Sequence, residues 1–402
     1  MPSSVGAAQR PRRKSTKVND GRVAKRYIKD VLDGKIVACK WVRLFCQRHV
    51  QDLKGARRRG LYFDEGAGED ILGFFNFLRH SKGEWAGRPF ILAPWEQAFL
   101  WVLFGWKKKN GLRRFRTAYL EVSRKNGKSS LAAGVALYLL DGDQEPGAEV
   151  YSAATKRDQA KIVHGEASRM VRSSPSLRSF ITVHRDNIHV VDTNSKFEPL
   201  SSDFNSLDGL NIHGAIVDEV HAHKTRDLWD VLDTATGARR QPLIFGITTA
   251  GVSRLSVCRE LHDYTEKILE NSLADDSFCG VIYTLDDGDD WTDESVWVKA
   301  NPNLGESVKL DDLRDKARKA KEAPAALNSF LRLHMNVWTQ SETRWLDPDV
   351  WAACGGRTDI ELLRNEPCYA GLDLSSTIDI SALVLKFPRT GDVLSWFWIP
   401  ED

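Results

Sequence analysis

The sequence predicts an α/β fold built on a mostly parallel central sheet, and three stretches carry that prediction. Residues 117–122 form a short apolar run that passes through Ser123-Arg124-Lys125-Asn126-Gly127 into a helix-like run over 129–140. Residues 214–217 form a second apolar run, which ends in Asp218-Glu219. Residues 243–247 form a third, which ends in Thr248-Thr249-Ala250-Gly251. Short apolar runs closed by glycine or polar residues fit strands buried on both faces, as parallel strands between helices are.

The first stretch has the order strand, tight loop, helix, which a phosphate-binding loop requires. The N-terminus of a helix carries unpaired N–H groups and partial positive charge, which suits a triphosphate. Lys128 can reach the β- and γ-phosphates, and the Ser129 hydroxyl can complete a Mg²⁺ shell. Val122 stands where the usual pattern has a glycine, five residues before Gly127. A Gly-Lys-Ser tripeptide alone also fits a plain strand-to-helix turn with an exposed lysine.

The second stretch decides between these readings. Two adjacent carboxylates at the end of a buried strand are costly without a cation. In a phosphate-loop ATPase the first, Asp218, holds Mg²⁺ and the second, Glu219, polarises the attacking water. Two such stretches, in this order and each at a strand end, predict a phosphate-loop ATPase that uses ATP and Mg²⁺. In the third stretch, Thr248 and Thr249 fit the polar strand end that helicase-like ATPases place beside the γ-phosphate.

Bulk composition sets the frame. The chain has 402 residues, 42% hydrophobic and 28% charged, enough for two or three domains with a core in each. It holds no apolar run long enough to span a membrane and no apolar signal core at its start, so a cytoplasmic protein is expected. Cys39, Cys46, Cys258, Cys279, Cys354 and Cys368 form no paired spacing and read as reduced thiols. Net charge is only +2, so its distribution says more than its sum.

Residues 1–20 form a polar, basic arm that fits either a solvated tail or a contact with a phosphate backbone. Residues 21–60 have helical periodicity and read as a lead-in. Pro94 opens a helix through Gly105, and Gln97 on it can offer a donor and an acceptor to an adenine edge or lie on the surface. The basic block from Lys107 to Arg116 lines a polyanion channel or forms a solvated hairpin. Residues 148–154 read as a second core strand, followed by a helix whose Lys156 or Arg157 reaches a phosphate or is simply a charged first turn. A β-hairpin fits 181–200, and two helical runs fit 310–322 and 323–338, with a linker from Trp338 to Thr343. Strand periodicity resumes at 368–376, 381–387 and 393–399.

Together these residues resemble the large terminase subunit of tailed bacteriophages. The resemblance runs from about Phe74 to the end and rests on Leu92-Ala93-Pro94-Trp95-Glu96-Gln97, Arg124-Lys125-Asn126-Gly127-Lys128-Ser129, Val217-Asp218-Glu219-Val220-His221, Thr248-Thr249-Ala250-Gly251, Ala300-Asn301-Pro302-Asn303 and Gly371-Leu372-Asp373-Leu374-Ser375. A phosphate loop without the leading glycine is typical of that family, so Val122 supports the match. The resemblance implies an N-terminal ATPase that pumps viral DNA into a procapsid and a C-terminal ribonuclease H-like nuclease. Carried over by position, it implies that Lys128 and Ser129 bind nucleotide and Mg²⁺, with Lys125, Asn126, Gly127 and Ser130 in the same loop. It further implies that Asp218 supports the metal, Glu219 is the catalytic base, Arg124 acts near the γ-phosphate, Gln97 contacts adenine, and Thr248 and Thr249 couple hydrolysis to movement. Double-stranded DNA, a small terminase subunit, a portal protein and a homo-oligomeric ring are the partners it implies, with no membrane.

Residues 1–60 are thus expected to be arm and lead-in, 61–342 the ATPase domain with a helical linker at its end, and 343–402 an incomplete start of the β-rich nuclease domain. Asp373 matches the first metal-binding acid of that nuclease. Two-metal hydrolysis needs several carboxylates, and Asp379 reads as a turn acid, so this polypeptide alone is expected not to cut DNA. A helicase-like ATPase, or a non-catalytic prophage remnant that binds DNA or other terminase subunits, is the alternative.

Overall fold

The computed structural model of the chain describes residues 19–200, 209–223, 225–253, 255–339, 353, 359–374 and 380–399. The basic arm before Asn19 and Asp379 lie outside the described residues. The chain divides into two compact units, Met1–Arg344 and Trp345–Asp402. The first begins with α1 (Gly21–Leu32), α2 (Lys40–Gly55), β1 (Leu61–Phe63), α3 (Glu65–Phe75) and α4 (Pro94–Gly105). It continues through β2 (Trp106–Lys108), β3 (Thr117–Glu121), α5 (Lys128–Leu137), β4 (Glu149–Ala153) and α6 (Arg157–Ser173). Next come β5 (Ile181–Val183), β6 (Ile188–Val190), β7 (Ser195–Pro199), β8 (Ile212–Asp218), α7 (Asp227–Thr234), β9 (Leu243–Thr248), α8 (Val257–Leu269) and β10 (Phe278–Ile282). The helices α9 (Trp297–Ala300), α10 (Leu310–Glu322) and α11 (Pro324–His334) follow.

An eight-stranded sheet in the order β10-β3-β9-β8-β4-β7-β6-β5 forms the centre of this unit. The strands from β10 to β7 are parallel to one another, and β6 and β5 run antiparallel at one edge. The hairpin expected over 181–200 is this edge, with β7 joining it to the parallel strands. Every residue of β8 and of β9 is buried, which is why their sequences show no alternation. The register sets Thr248 of β9 opposite Glu121 of β3, and Ile247 opposite Asp218 of β8. β9 therefore lies between the two strands whose ends carry the nucleotide motifs.

Small residues let α5 lie close to the sheet, with Ala132, Ala133 and Ala136 fully buried. Apolar side chains surround α4, and each residue from Trp95 to Gly105 is buried. The lead-in helices belong to the same core: Ala24, Ile28, Val31, Val42 and Phe45 pack in one cluster with Leu100, Ala118, Leu120 and Phe245. Asp20 caps α1 by accepting from the Arg22 and Val23 N–H groups. Among the described residues no helix is long and apolar enough to cross a membrane.

The basic block before β3 is not wholly solvated. Arg113 and Arg114 are fully buried and paired. Arg113 contacts Asp143 at 3.0 Å, and Arg114 contacts Asp52 at 2.6 Å and Asp276 at 2.7 Å. Arg114 thereby fastens α2 to the loop that precedes β10.

The second unit holds β11 (Tyr369–Asp373), β12 (Ser381–Lys386) and β13 (Val393–Trp398), an antiparallel sheet in that order. Asp373, at the end of β11, pairs in register with Ala382 and is exposed.

Replacing Arg114 with Ala would leave the largely buried Asp52 carboxylate with Arg59 as its cationic partner. The expected loss of stability is about 1.5–3 kcal/mol, that of lost hydrogen bonds to a charged group, read as a shift in the urea unfolding midpoint. An unchanged midpoint would show that the pair does not hold α2.

Candidate functional site

The loop between β3 and α5 turns sharply at Gly127, which has φ +85° and serves as N-cap of α5. Only glycine takes that conformation without strain. The turn brings the backbone N–H groups of the first turn of α5, including Ser129 and Ser130, to the C-terminal edge of the sheet. Lys128 is folded back on its own loop. Its Nζ donates to the carbonyls of Val122 at 2.6 Å and Ser123 at 3.0 Å. Burial lowers its pKa to about 8, against the opposing pull of Glu219 and Asp218. An anion placed at the helix terminus would give this amine a better partner than the two carbonyls.

Asp218, the last residue of β8, faces this loop from across β9. Its Oδ2 lies 3.5 Å from the Ser129 hydroxyl. Burial, with Glu219 beside it, raises its pKa to about 6. Glu219 takes the left-handed conformation, φ +51°, which is rare outside glycine and turns its side chain off the strand. Burial works to raise the Glu219 pKa, but His221, Lys128 and Arg124 outweigh it and hold the group below its ordinary value. Its Oε2 is buried and lies 3.1 Å from His221 Nδ1, an ion-pair contact outside hydrogen-bond geometry. A buried, ionised carboxylate held beside a phosphate loop by a histidine suits a base for an incoming water. The Ser129–Asp218 pair and this carboxylate fit Mg²⁺ and a polyphosphate.

The polar end of β9 completes the edge, with Thr248 and Thr249 both fully buried. His221, two residues past the base, joins them to Glu219. Its backbone N–H donates to Thr248 Oγ1 at 3.0 Å, and its Nδ1 lies 3.1 Å from Thr248 Oγ1, 3.4 Å from Thr249 Oγ1 and 3.1 Å from Glu219 Oε2. The sequence assigned no role to His221, because nothing in residues 217–221 shows what they face.

The phosphate loop is braced from behind by side chains remote in sequence. Ser123 Oγ donates within 2.7 Å of the Ala300 carbonyl and lies 2.5 Å from Asn301 Oδ1. Asn126 Nδ2 donates to Ser123 Oγ at 2.9 Å, and Asn303 N–H donates to Asn126 Oδ1 at 3.0 Å. Trp95 Nε1 donates to Asn303 Oδ1 at 2.8 Å, tying the start of α4 to the same brace. Lys125, at φ +70°, is exposed, and its carbonyl accepts from Ser307 Oγ at 2.6 Å. Arg124 is also exposed, and its N–H donates to the Leu333 carbonyl at 2.9 Å. Asn301-Pro302-Asn303 was recognisable as a signature, but its job as a brace was not.

Gln97 differs from its expectation. It is 2% exposed; its Oε1 accepts from the Asp20 N–H at 3.2 Å and its Nε2 donates to the Leu92 carbonyl at 2.8 Å. In this conformation both ends of the amide hold the chain's own backbone rather than presenting an open edge to adenine. Its neighbour Glu96 faces the loop instead: a Cβ on Gly127 would lie 3.3 Å from Glu96 Oε1, and burial raises that carboxyl to about 8. Lys156, the N-cap residue of α6, is exposed. Asp373 belongs to the second compact unit.

Under the phosphate loop lies a buried ion pair. Glu121, at the end of β3, is fully buried and contacts His262 Nδ1 of α8 at 2.9 Å. Burial alone would lower the His262 pKa; Glu121 overrides it and, with Glu266, raises it to about 9. Tyr119 OH donates to Glu121 Oε2 at 2.7 Å and Trp338 Nε1 to Oε1 at 3.2 Å. His262, Asp263 and Glu266 offer ligand atoms within 4.8 Å of one another, but a protonated ring is no metal ligand, and Asp263 is paired with Arg259. Trp338, expected to open a linker, is instead anchored in this group.

Comparison with known proteins places these features in a family context. Residues 94–267 match the terminase large subunit ATPase domain, and residues 272–398 match the terminase large subunit endonuclease domain. The second match begins before β10, a strand of the first unit's sheet. Protein YmfN of Escherichia coli (strain K12) is 35% identical over 203 residues, covering 48% of this chain and 45% of that protein. The terminase large subunit of Enterobacteria phage HK97 is 29% identical over 345 residues, covering 83% of this chain and 66% of that protein. The crystal structure of the HK97 bacteriophage large terminase superposes with a TM-score of 0.59 at 27% identity, over 83% of this chain and 68% of that one. The chain thus spans about half to two thirds of the length of these curated relatives.

The Glu121–His262 pair predicts a pH-dependent stability. His262 is raised from 6.5 to about 9, so its contribution is fully present below pH 6.5 and is lost as pH rises through about 9. The difference corresponds to about 3 kcal/mol. Urea unfolding between pH 6.5 and 9.5 should show a decline of that order in the wild type. A His262→Gln variant should start less stable and lack this decline; an equal decline in both would place the titration elsewhere.

Proposed function

The chain belongs to the terminase large subunit family, and on that footing we propose that it is the ATP-hydrolysing subunit of a motor that drives double-stranded viral DNA into a procapsid. The carrying observation is the convergence of the phosphate loop and the two acids at one edge of the sheet, with Ser129 Oγ 3.5 Å from Asp218 Oδ2 and the Glu219 carboxylate, held ionised by His221, Lys128 and Arg124, beside them.

In this reading the amides from Gly127 to Ser130 and the Lys128 amine hold the β- and γ-phosphates, and Arg124, Lys125 and Asn126 shape the loop around them. Lys128 leaves the Val122 and Ser123 carbonyls to do so. Ser129 and Asp218 hold Mg²⁺, which supplies charge neutralisation on the phosphates. Glu219 takes a proton from the attacking water at its carboxylate. Thr248 and Thr249, in contact with His221 and thus with Glu219, respond to loss of the γ-phosphate. Arg124 is exposed and free to turn towards the γ-phosphate. Gln97 contacts adenine only if its bonds to Asp20 and Leu92 open, so the base is read chiefly by shape.

Residues 61–342 act as the ATPase domain, following the lead-in over 1–60, and residues 343–402 belong to a ribonuclease H-like nuclease domain. Asp373 contributes one carboxylate to a two-metal site there, which needs several. A homo-oligomeric ring, the portal protein and a small terminase subunit are the protein partners, and the host cytoplasm is the setting.

The test is ATP turnover by the purified chain, with and without linear double-stranded DNA. Turnover should rise with DNA. Glu219→Gln should bind ATP but lose turnover by about 100-fold or more. Lys128→Ala should lose nucleotide binding itself. A Lys128→Ala protein that hydrolyses ATP at the wild-type rate would overturn the site assignment.

A further inference from the structure

The end of α11 and the residues after it run beside the nucleotide site, where residues 333–338 touch the phosphate loop, its brace and the end of β9. The Leu333 carbonyl accepts from the Arg124 N–H of the phosphate loop at 2.9 Å. The His334 carbonyl accepts from Asn301 Nδ2 of the brace at 2.7 Å. Asn336 is fully buried and in the left-handed conformation, φ +55°, which asparagine tolerates better than other residues with a Cβ. Its Oδ1 accepts from the Ala250 N–H, just past Thr249, at 2.7 Å. Its Nδ2 donates to the Tyr283 carbonyl at 2.7 Å and to Glu121 Oε1 at 3.3 Å. Its own carbonyl accepts from Thr284 Oγ1 at 2.8 Å. Trp338 then bonds the same Glu121 oxygen at 3.2 Å and lies against Gly251, where a Cβ would come within 3.0 Å of the ring.

We propose that residues 333–338 are a relay, with Asn336 as its joint, that makes the polar end of β9 and the phosphate loop move together when nucleotide is bound or hydrolysed. This rests on the ATPase reading of the site and adds to it a positioning residue that touches no phosphate. The geometry behind the relay is specific. Asn336 bonds both the β9 end, through Ala250, and the strand feeding the phosphate loop, through Glu121, and so reinforces the direct backbone bond from the Val122 N–H to the Thr248 carbonyl at 3.1 Å. Both bonds are buried, so breaking either without a replacement is unfavourable. A shift of Thr248 and Thr249 therefore draws on residues 333–338, whose other end is fastened to Arg124. The reverse also holds: the relay keeps Thr248 in place under His221, and through it Glu219.

The side chain can be removed without altering the backbone requirement. Asn336→Gly retains access to positive φ and deletes all three side-chain bonds, to Ala250, Tyr283 and Glu121. The variant should bind ATP with an affinity within about threefold of the wild type, hold its KM, and lose kcat by about tenfold, the pattern of a lost positioning contact rather than a lost binding contact. Hydrogen exchange supplies a readout that needs no turnover. In the wild type, a non-hydrolysable ATP analogue with Mg²⁺ should slow exchange in peptides covering 122–130 and in those covering 333–338. In Asn336→Gly the first response should persist and the second should vanish. A wild-type response at 122–130 with none at 333–338 would overturn the relay alone. Wild-type kcat in a folded Asn336→Gly protein would overturn it too. No wild-type response at 122–130 would defeat the nucleotide reading and the relay with it.

Discussion

A strand buried on both faces has one place to put polar side chains, which is its ends. β8 and β9 are buried along their whole length; both place a polar residue at the C-terminal edge, Asp218 and Thr248, and the other ionisable residue of β8, His213, lies at its opposite end against Asp143. β3 does the same with Glu121 and the loop that follows it. Because these strands are parallel and adjacent, their polar ends fall on one edge. There a helix N-terminus adds positive potential. Much of what the first unit can do chemically follows from that confinement.

Confinement carries an electrostatic cost, and the structure shows where it is met. Glu121 is met by His262 together with hydrogen bonds from Tyr119 and Trp338. Arg113 and Arg114 are met by Asp143, Asp52 and Asp276. Asp218 and Glu219 are met differently. Asp218 is raised towards neutrality by burial and by its neighbour, while His221, Lys128 and Arg124 hold Glu219 ionised. The structural carboxylates are closed by fixed partners, and the pair at the nucleotide edge is split into one acid near neutrality and one ionised. That contrast, more than their mere proximity, distinguishes the site from the other buried ion pairs.

A loop of six residues that must present amides to a polyanion also needs a rigid support. The support is a chain of amide side chains, Asn301, Asn126 and Asn303, closed by Ser123 and Trp95. Asparagine suits this because each amide both donates and accepts over a short reach with few rotamers. Its members come from α4, the loop itself and the segment after α9. Small movements of the helical group that follows β10 are thus felt directly by the phosphate loop.

Sequence alone determined the local chemistry. Gly127 at a strand-to-helix turn, Lys128 and Ser129 after it, and an acid pair at the end of an unbroken apolar run are near-neighbour patterns, and near-neighbour patterns survive in a linear reading. It also determined the buried, parallel character of the strands, because their runs lack alternation. Tertiary structure decided the rest. It placed β9 between β3 and β8, turned Gln97 towards Asp20 and Leu92, buried Arg113 and Arg114, and gave His221, Asn303, Asn336 and Trp338 their partners. Asn126 and Asn303 are 177 residues apart, and Trp338 and Glu121 are 217 apart. Hydrogen-bond partnership at such separation depends on strand order and helix packing, which sum over the whole core, and no local pattern of residue types encodes it.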